Sequence, residues 1–337
     1  MEYLCFNQMD RRTTIVRLTD AKGGAEGVLD TIKHYLHHCL GESVSTVVVF
    51  KRSSIRDMLK IAKKVRGIIH SSDVIISSSI WTSSLLGLFL SMAHANPVVV
   101  ARESTDVIKR YKGLALIKYK VLYFFYLKDF KIVAQTKEMS QNLKKVGIVS
   151  TVINNPYDFK NLRFGDLDMI KKLNEPYILA VGRLIGIKGF DLLIKAFYNQ
   201  NNVKTLKIIG DGPELSNLKS EVSPKHLSHR VEFLGYKSNP YPYMAAASIC
   251  VISSRMEGFP NTLLEMIELN GHVLCTKCAE GVVDIPVIST CDASVASLAQ
   301  GLIDVFNRPP VSEALRHSYL KENHSIVHFI EKLNIYV

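Results

Sequence analysis

The sequence predicts an α/β protein of two doubly wound domains, and three observations carry that expectation. Short apolar runs alternate with helical stretches along the chain, the alternation breaks near residue 160 and then restarts, and 337 residues exceed what one ordinary core organises. The division falls at 1–160 and 161–337, with the last helix able to pack back on the first domain.

In the first half "TTIVRLT" (13–19) reads as a strand, followed by the turn "DAKGGAEG" and a helix through about His38. The runs "STVVVF" (45–50), "DVIIS" (73–77), "PVVVA" (97–101) and "KIVAQT" (131–136) then recur between helical segments, which predicts a parallel sheet covered on both faces. "STVINNPYDF" (150–159) ends a strand in a turn, and "KNLRFGDLDMIKKLNE" reads as a polar connection. The second set of strands is "YILAVG" (177–182), "TLKIIG" (205–210), "VEFLG" (231–235), "SICVIS" (248–253) and "HVLCT" (272–276). Two such domains facing each other place a cleft at the carboxyl ends of both sheets, where open parallel sheets bind ligands.

Composition removes several classes. The opening "MEYLCFNQMDRR" lacks the apolar run of a secretory signal. The most apolar window, "SSLLGLFLSMAHANPVVVA", is broken by His94, Asn96 and Pro97, short of the roughly 20 apolar residues of a membrane span. The six cysteines form no disulfide framework, and a reducing cytoplasm fits them. Cys275 and Cys278 in "HVLCTKC" have no second Cys/His pair at finger-like spacing, so they read as small residues of a buried strand rather than zinc ligands. Charge is unevenly placed. Residues 1–150 hold 23 Lys+Arg against 12 Asp+Glu, a net of +11, whereas residues 151–337 hold 19 of each. The excess belongs to the first domain, which therefore faces a polyanion.

The chemistry-bearing stretches lie after the strands of the second half. "GRLIGIKGFDLLIKAF" begins with Gly182, which permits a sharp turn, and sends Arg183 and Lys188 off the carboxyl end of a strand. Two cations on one loop suit a diphosphate, although each alone also fits a solvated loop. "IIGDGPELSNLKSE" carries Gly210 and Gly212 in a strand-to-helix turn with Pro213 near the first helical position. It lacks the third glycine of the dinucleotide fingerprint, which weakens a dehydrogenase reading. "SSRMEGFPNTLLEMIELNG" leaves a buried strand with Glu257, then Gly258, Phe259 and Pro260, and Asn261 is the expected N-cap of a helix opened by Thr262 and Leu263. The unbonded N–H groups of such a first turn attract an anion, and Glu265 reaches past it toward attached hydroxyls. Glu268 reads as a solvated surface residue.

The order G-R-x4-K-G-x-D, G-D-G-P-E, E-G-F-P-N-x-L-L-E, over roughly 176–276, resembles the retaining GT-B glycosyltransferases of family 4. Under that resemblance Arg183 and Lys188 grip a nucleotide diphosphate, and Glu265 holds the ribose hydroxyls. Glu257 is the carboxylate at the donor sugar, in a pocket shaped by Gly258, Phe259, Pro260 and Asn261. The base lies near the "GDGPE" and "VEFLGY" turns. "AKGGAEGVLD" (21–30), with Gly23 and Gly24, is similar to the family's first glycine loop, and "NNPYDF" (154–159) to its interdomain segment.

One departure stands out. Where many members carry a histidine after the strand "PVVVA", this chain has Arg102-Glu103-Ser104-Thr105-Asp106, and Glu103 is the catalytic candidate there. "KRYKGLALIKYKVLYFFYLKDFK" (109–131) interleaves basic and aromatic residues with an apolar face, which suits either a helix on an anionic membrane or a core helix with a charged outer side. The charge asymmetry favours the membrane. "DLD" (166–168) reads as solvated rather than metal-binding.

The resemblance thus implies a GT-B fold and a retaining hexosyltransferase. It would move a sugar from a nucleotide-diphosphate sugar to an acceptor hydroxyl on a lipid-linked glycan, as in O-antigen or capsule biosynthesis. The enzyme is expected to be cytoplasmic and peripheral on the inner face of the membrane. It needs no metal or other cofactor, and no nucleic-acid motif is present. The alternative is a non-catalytic membrane- or polyanion-binding protein on the same scaffold.

Overall fold

The structure is a computed structural model that describes residues 11–17, 24–48, 55–126, 129–157, 175–198, 200, 205–222 and 229–335. The chain divides into two compact units: Met1–Tyr157 with Asn323–Val337, and Asp158–Glu322.

Unit 1 runs β1 (Arg12–Arg17), α1 (Gly24–Cys39), β2 (Ser43–Val48), α2 (Ile55–Ser71), β3 (Val74–Ser77), α3 (Ile80–Leu90), β4 (Val98–Arg102), α4 (Val107–Arg110), α5 (Gly113–Phe124), β5 (Lys131–Ala134), α6 (Lys137–Lys144) and β6 (Thr151–Val152). The sheet order is β2-β1-β3-β4-β5-β6 with every pairing parallel. Strands covered on both faces need apolar side chains at successive positions, and β3 is buried throughout. One face carries Ile15, Val28, Leu29, Ile32 and the chain's last helix. The other carries Val16, Val65, Ile75, Leu86, Tyr123 and Met139, from α2, α3, α5 and α6.

The basic stretch 109–131 is not one helix. α4 ends at Arg110, Tyr111 and Lys112 are extended, and Gly113, the first residue of α5, takes a left-handed φ of 57°. Lys131 already belongs to β5. α5 lies close on α3: Ser84 Oγ donates to Leu122 O at 2.8 Å. A Cβ on Gly87 would stand 1.8 Å from Phe125 O, so only glycine admits that approach. Among the described residues no helix is long and apolar enough to cross a membrane.

Unit 2 runs β7 (Tyr177–Val181), a 3-10 turn (Gly186–Lys188), α7 (Phe190–Phe197), β8 (Thr205–Ile209), α8 (Leu215–Val222), β9 (Val231–Phe233), α9 (Tyr241–Ala246), β10 (Ile249–Ile252), α10 (Asn261–Leu269), β11 (Val273–Thr276), α11 (Glu280–Val283), β12 (Ser289–Cys291), α12 (Val295–Phe306) and α13 (Glu313–His324). α14 (Ile326–Leu333) returns to unit 1, where Phe329, Ile330 and Leu333 pack beside α1. The second sheet is also parallel, in the order β12-β11-β10-β7-β8-β9. β12 was not among the expected strands, because its three residues include only one buried side chain and no apolar run. Leu193, Ile194 and Phe197 of α7 and Leu298, Leu302 and Val305 of α12 close a core over this sheet. β7 sits between β10 and β8, so the chain leaves it in opposite directions and the switch point falls between β7 and β10.

Gly87→Ala should destabilise unit 1 by about 1–3 kcal/mol, the scale of overpacking against atoms that cannot move away. Trp81 is the chain's single tryptophan and lies on α3, so its fluorescence in a urea titration reads this unit alone.

Candidate functional site

The loops after β7 and β8 lie backbone on backbone. Gly182 N–H donates to Ile209 O at 2.9 Å, and Leu184 N–H to Asp211 O at 2.9 Å. Gly210, at φ 148°, would bring a Cβ within 1.8 Å of Gly182 O, so the contact requires glycine there. Gly212 packs in the same way on the Leu184 backbone. Arg183, next along, is exposed, and its guanidinium bonds no described residue.

The 3-10 turn then presents Lys188 toward the loop that follows β10. Lys188 Nζ meets Glu257 Oε1 at 2.5 Å, and Ser254 Oγ donates to the same oxygen at 2.7 Å. The loops are held together by Arg255 N–H to Ile187 O (2.8 Å) and Ser253 Oγ to Lys188 O (3.0 Å). Glu257 N–H donates to Cys278 O at 2.9 Å, which ties the carboxylate to the loop after β11 as well. The pair is largely buried, with 27% of the lysine and 14% of the glutamate side chain exposed. A small cavity of about 10 Å³ beside it is lined by Lys188, Ser254, Pro260 and Thr262. A wider one, of about 320 Å³, opens on the flank between α7 and α8 and is lined by Asp191, Glu214, Asn217, Glu221 and Arg255; neither Lys188 nor Glu257 borders it. Arg255 closes one side of that space through two bonds to Asp191, at 2.8 and 2.6 Å.

α10 begins one residue earlier than expected. Pro260 is its N-cap, Asn261 is the first helical residue, and no side chain caps the start. Proline in the cap has no side-chain oxygen to offer, so the first-turn dipole is left uncompensated. Leu263 is a correction: its side chain is fully buried and its N–H donates to Pro260 O, so it shapes the helix rather than a ligand surface. Gly258, Phe259, Asn261 and Thr262 are half-buried on the turn. Glu265 is half-buried too, and burial pushes its carboxyl up to about 7, against the opposing effect of the Tyr241 hydroxyl. Glu268, expected in solvent, is instead packed with its side chain 10% exposed and bonded to His317 at 2.9 Å.

Sequence reasoning missed Ser254 and Tyr241. Ser254 stood inside the quoted "SSRMEG" stretch without a stated role. Tyr241 pairs with a residue 24 positions on, a contact that no local pattern announces.

In unit 1 the structure corrects Glu103. Its carboxylate accepts from Tyr126 OH at 2.5 Å and Tyr123 OH at 3.2 Å, and the residue is 2% exposed. Both oxygens are engaged inside the unit and closed off from solvent, where the residue fastens the end of α5 to β4. The adjacent Arg102 is buried as well, donating to Ser78 Oγ at 2.9 Å and Asn155 Oδ1 at 2.5 Å. Gly24 opens α1; Gly23 and "DLD" (166–168) lie outside the described residues.

Burial pushes the Glu103 carboxyl up to about 7, against the lowering effect of the two tyrosines and Arg102. Between pH about 4.5 and 7 the folded protein therefore keeps a proton that the unfolded chain has released, and stability falls as pH rises through that window. Glu103→Gln removes the titration. Relative to wild type it should gain roughly 3 kcal/mol between pH 5 and 8, at about 1.4 kcal/mol per pKa unit, read as Trp81-detected urea midpoints.

Two units, each a six-stranded parallel sheet with flanking helices, fit a two-domain GT-B fold. Residues 168–315 match the family model for glycosyl transferases group 1. The structure is similar to Anabaena HepE in complex with UDP-glucose, with a TM-score of 0.76 and 18% identity over 96% of this chain and 98% of that one. It is likewise similar to a sucrose-phosphate synthase from Thermosynechococcus elongatus, with a TM-score of 0.77 and 15% identity over 96% and 97%. Among curated proteins, an uncharacterised glycosyltransferase of Methanocaldococcus jannaschii is 27% identical over 62% of this chain and 52% of its own. The N-acetylgalactosamine-N,N'-diacetylbacillosaminyl-diphospho-undecaprenol 4-alpha-N-acetylgalactosaminyltransferase of Campylobacter jejuni is 33% identical over 39% of this chain and 35% of its own. The matches thus span about half and about a third of these two relatives' lengths. Together they indicate a GT-B protein with a glycosyl transferases group 1 region in its second unit.

Proposed function

We propose that the protein is a retaining glycosyltransferase of the hexosyltransferase type, moving a sugar from a nucleotide-diphosphate sugar to an acceptor hydroxyl. The observation that carries this reading is the Lys188–Glu257 pair at the β7–β10 switch point, beside a helix start that no side chain caps. Before donor binds, each charge neutralises the other. A diphosphate draws Lys188 away, joined by the Arg183 guanidinium and the first-turn N–H groups of α10. The exchange swaps one charge-assisted contact of Lys188 for another to the diphosphate, and Arg183 adds a second cation there. Glu257 is then free to accept from a hydroxyl of the donor sugar, while Ser254 keeps it in place. Glu265, steadied by Tyr241, takes the ribose hydroxyls. Arg183, Lys188 and the helix start stabilise charge on the departing diphosphate, so this site calls for no metal.

The family match and the glycosyltransferase relatives support sugar transfer. Similarity to structures holding UDP and UDP-glucose makes uridine donors the first to try. The C. jejuni relative is named for a diphospho-undecaprenol substrate, which supports a lipid-linked glycan as acceptor. Relatives named for lipopolysaccharide core and O-antigen synthesis support a surface polysaccharide as the product. In this reading the enzyme works in the cytoplasm at the inner face of an anionic membrane, held there by the 109–131 region.

Thermal-shift screening with UDP, GDP and their sugars, followed by transfer assays with membrane extract, tests the proposal. Glu257→Ala should abolish transfer yet keep the nucleotide shift, and Glu265→Ala should lose most of that shift. Transfer surviving both changes would sink the site, and no stabilisation by any nucleotide would favour a non-catalytic binder.

Nucleotide affinity should fall with a midpoint near pH 7 as Glu265 becomes protonated on acidification. Tyr241→Phe withdraws the bond that favours the ionised form, so titration calorimetry across pH should place its midpoint higher.

A further inference from the structure

α5 is apolar on two sides. Its inner side packs Tyr119, Leu122 and Tyr123 against the unit 1 core. Its outer side leaves Leu114, Ile117, Val121 and Phe124 exposed by 85, 56, 56 and 84%. At about 100° per residue these four fall on one stripe, and Lys118 and Lys120 flank it about 80° to either side. Leu114 and Phe124 stand roughly 15 Å apart along the axis, so the stripe runs nearly the length of the helix. Lys112 precedes the first turn, and neither it nor Lys120 has a partner among the described residues, while Lys118 rests over Trp81 at 4.9 Å. No acidic residue occurs between Asp106 and Asp129.

We infer that this outer face is a docking surface for an anionic lipid bilayer, with α5 lying flat in the headgroup layer, its four apolar side chains in the acyl boundary and its lysines on lipid phosphates. The inference deepens the membrane-facing part of the proposed function by naming the surface, and its evidence is independent of the donor site. An apolar stripe bordered by lysines matches an interface whose inside is hydrocarbon and whose rim is negative. A second copy of the chain fits less well, because a two-fold pairing would set these lysines against their own counterparts with no acid on the helix to offset them. The stripe also lies on the unit that carries the chain's whole excess charge, 23 Lys+Arg against 12 Asp+Glu in residues 1–150.

The test is flotation of the full chain with vesicles of phosphatidylcholine alone or with about a third phosphatidylglycerol, the anionic lipid that supplies the electrostatic attraction. Wild type should float with the anionic vesicles, at least tenfold more than with neutral ones, and lose most of that binding when salt shortens the screening length. Leu114→Ser with Phe124→Ser, and separately Lys112→Glu with Lys120→Glu, should each lower anionic binding at least tenfold. Val149→Ser, at another exposed apolar site in unit 1, should leave it unchanged. Trp81-detected melting verifies that the variants are folded. Equal binding to neutral vesicles, no loss in the α5 variants, or α5 variants that split a dimer while vesicle binding persists would overturn the inference. UDP stabilisation measured without vesicles separates the two readings: its absence in wild type counts against the donor site alone, and its persistence in Leu114→Ser/Phe124→Ser shows that the loss belongs to the membrane surface.

Discussion

Lys188 and Glu257 leave adjacent strands of one parallel sheet and meet at 2.5 Å, and the architecture of unit 2 is arranged around that meeting. The lysine can face the glutamate because Gly189 turns in the left-handed region at φ 65°, where a Cβ would strike Ser253 O at 2.1 Å. The glutamate is held by Ser254, whose carbonyl accepts from Thr276 Oγ1 at 2.5 Å. Strands β7, β10 and β11 therefore each fix one part of the pair. A parallel sheet sends every such loop to the same edge, so opposite charges from distant parts of the sequence gather without a long connection.

Much of this was legible in the residues. Alternating apolar runs give the two parallel sheets, because strands buried on both faces must be apolar at every position. The glycines at 182, 210 and 212 mark where loops lie against each other, and the charged residues among them are the ones the sheet edge collects. What stayed hidden depended on long-range packing. Asn261 has the chemistry of a cap, yet Pro260 takes that position, and the proline's fixed φ suits the entry to α10. Glu103 follows a strand end just as Glu257 does. The two tyrosines that turn it inward, Tyr123 in α5 and Tyr126 just past its end, come from 20 and 23 residues further on. β12 has no pattern to read, since a three-residue edge strand exists only through its neighbour β11.

Glu103 also shows why acidic residues in matching places do different work. Glu257 keeps a cation partner and stays partly open to solvent, so an incoming anion can compete for that partner. Glu103 is sealed, and two neutral hydroxyls face its oxygens. A carboxylate without a matching cation in a dry site holds its proton far above the usual range, and what it then offers is rigidity: it locks the C-terminal turn of α5 beside β4.

That lock bears on the surface of unit 1. A helix with two apolar sides gains nothing from turning about its axis unless something fixes which side faces inward. Tyr123 and Tyr126 on Glu103, Ser84 on Leu122 O, and the close approach at Gly87 do so together. The side left outward is then a fixed stripe bearing Phe124 and Leu114, not a fluctuating one. Unit 1 therefore buries an arginine and a glutamate while exposing leucine and phenylalanine, the reverse of what water alone would select. Such an inversion persists when the polar groups bond internally, as the two terminal nitrogens of Arg102 do to Ser78 and Asn155, and when the apolar face meets a medium other than water.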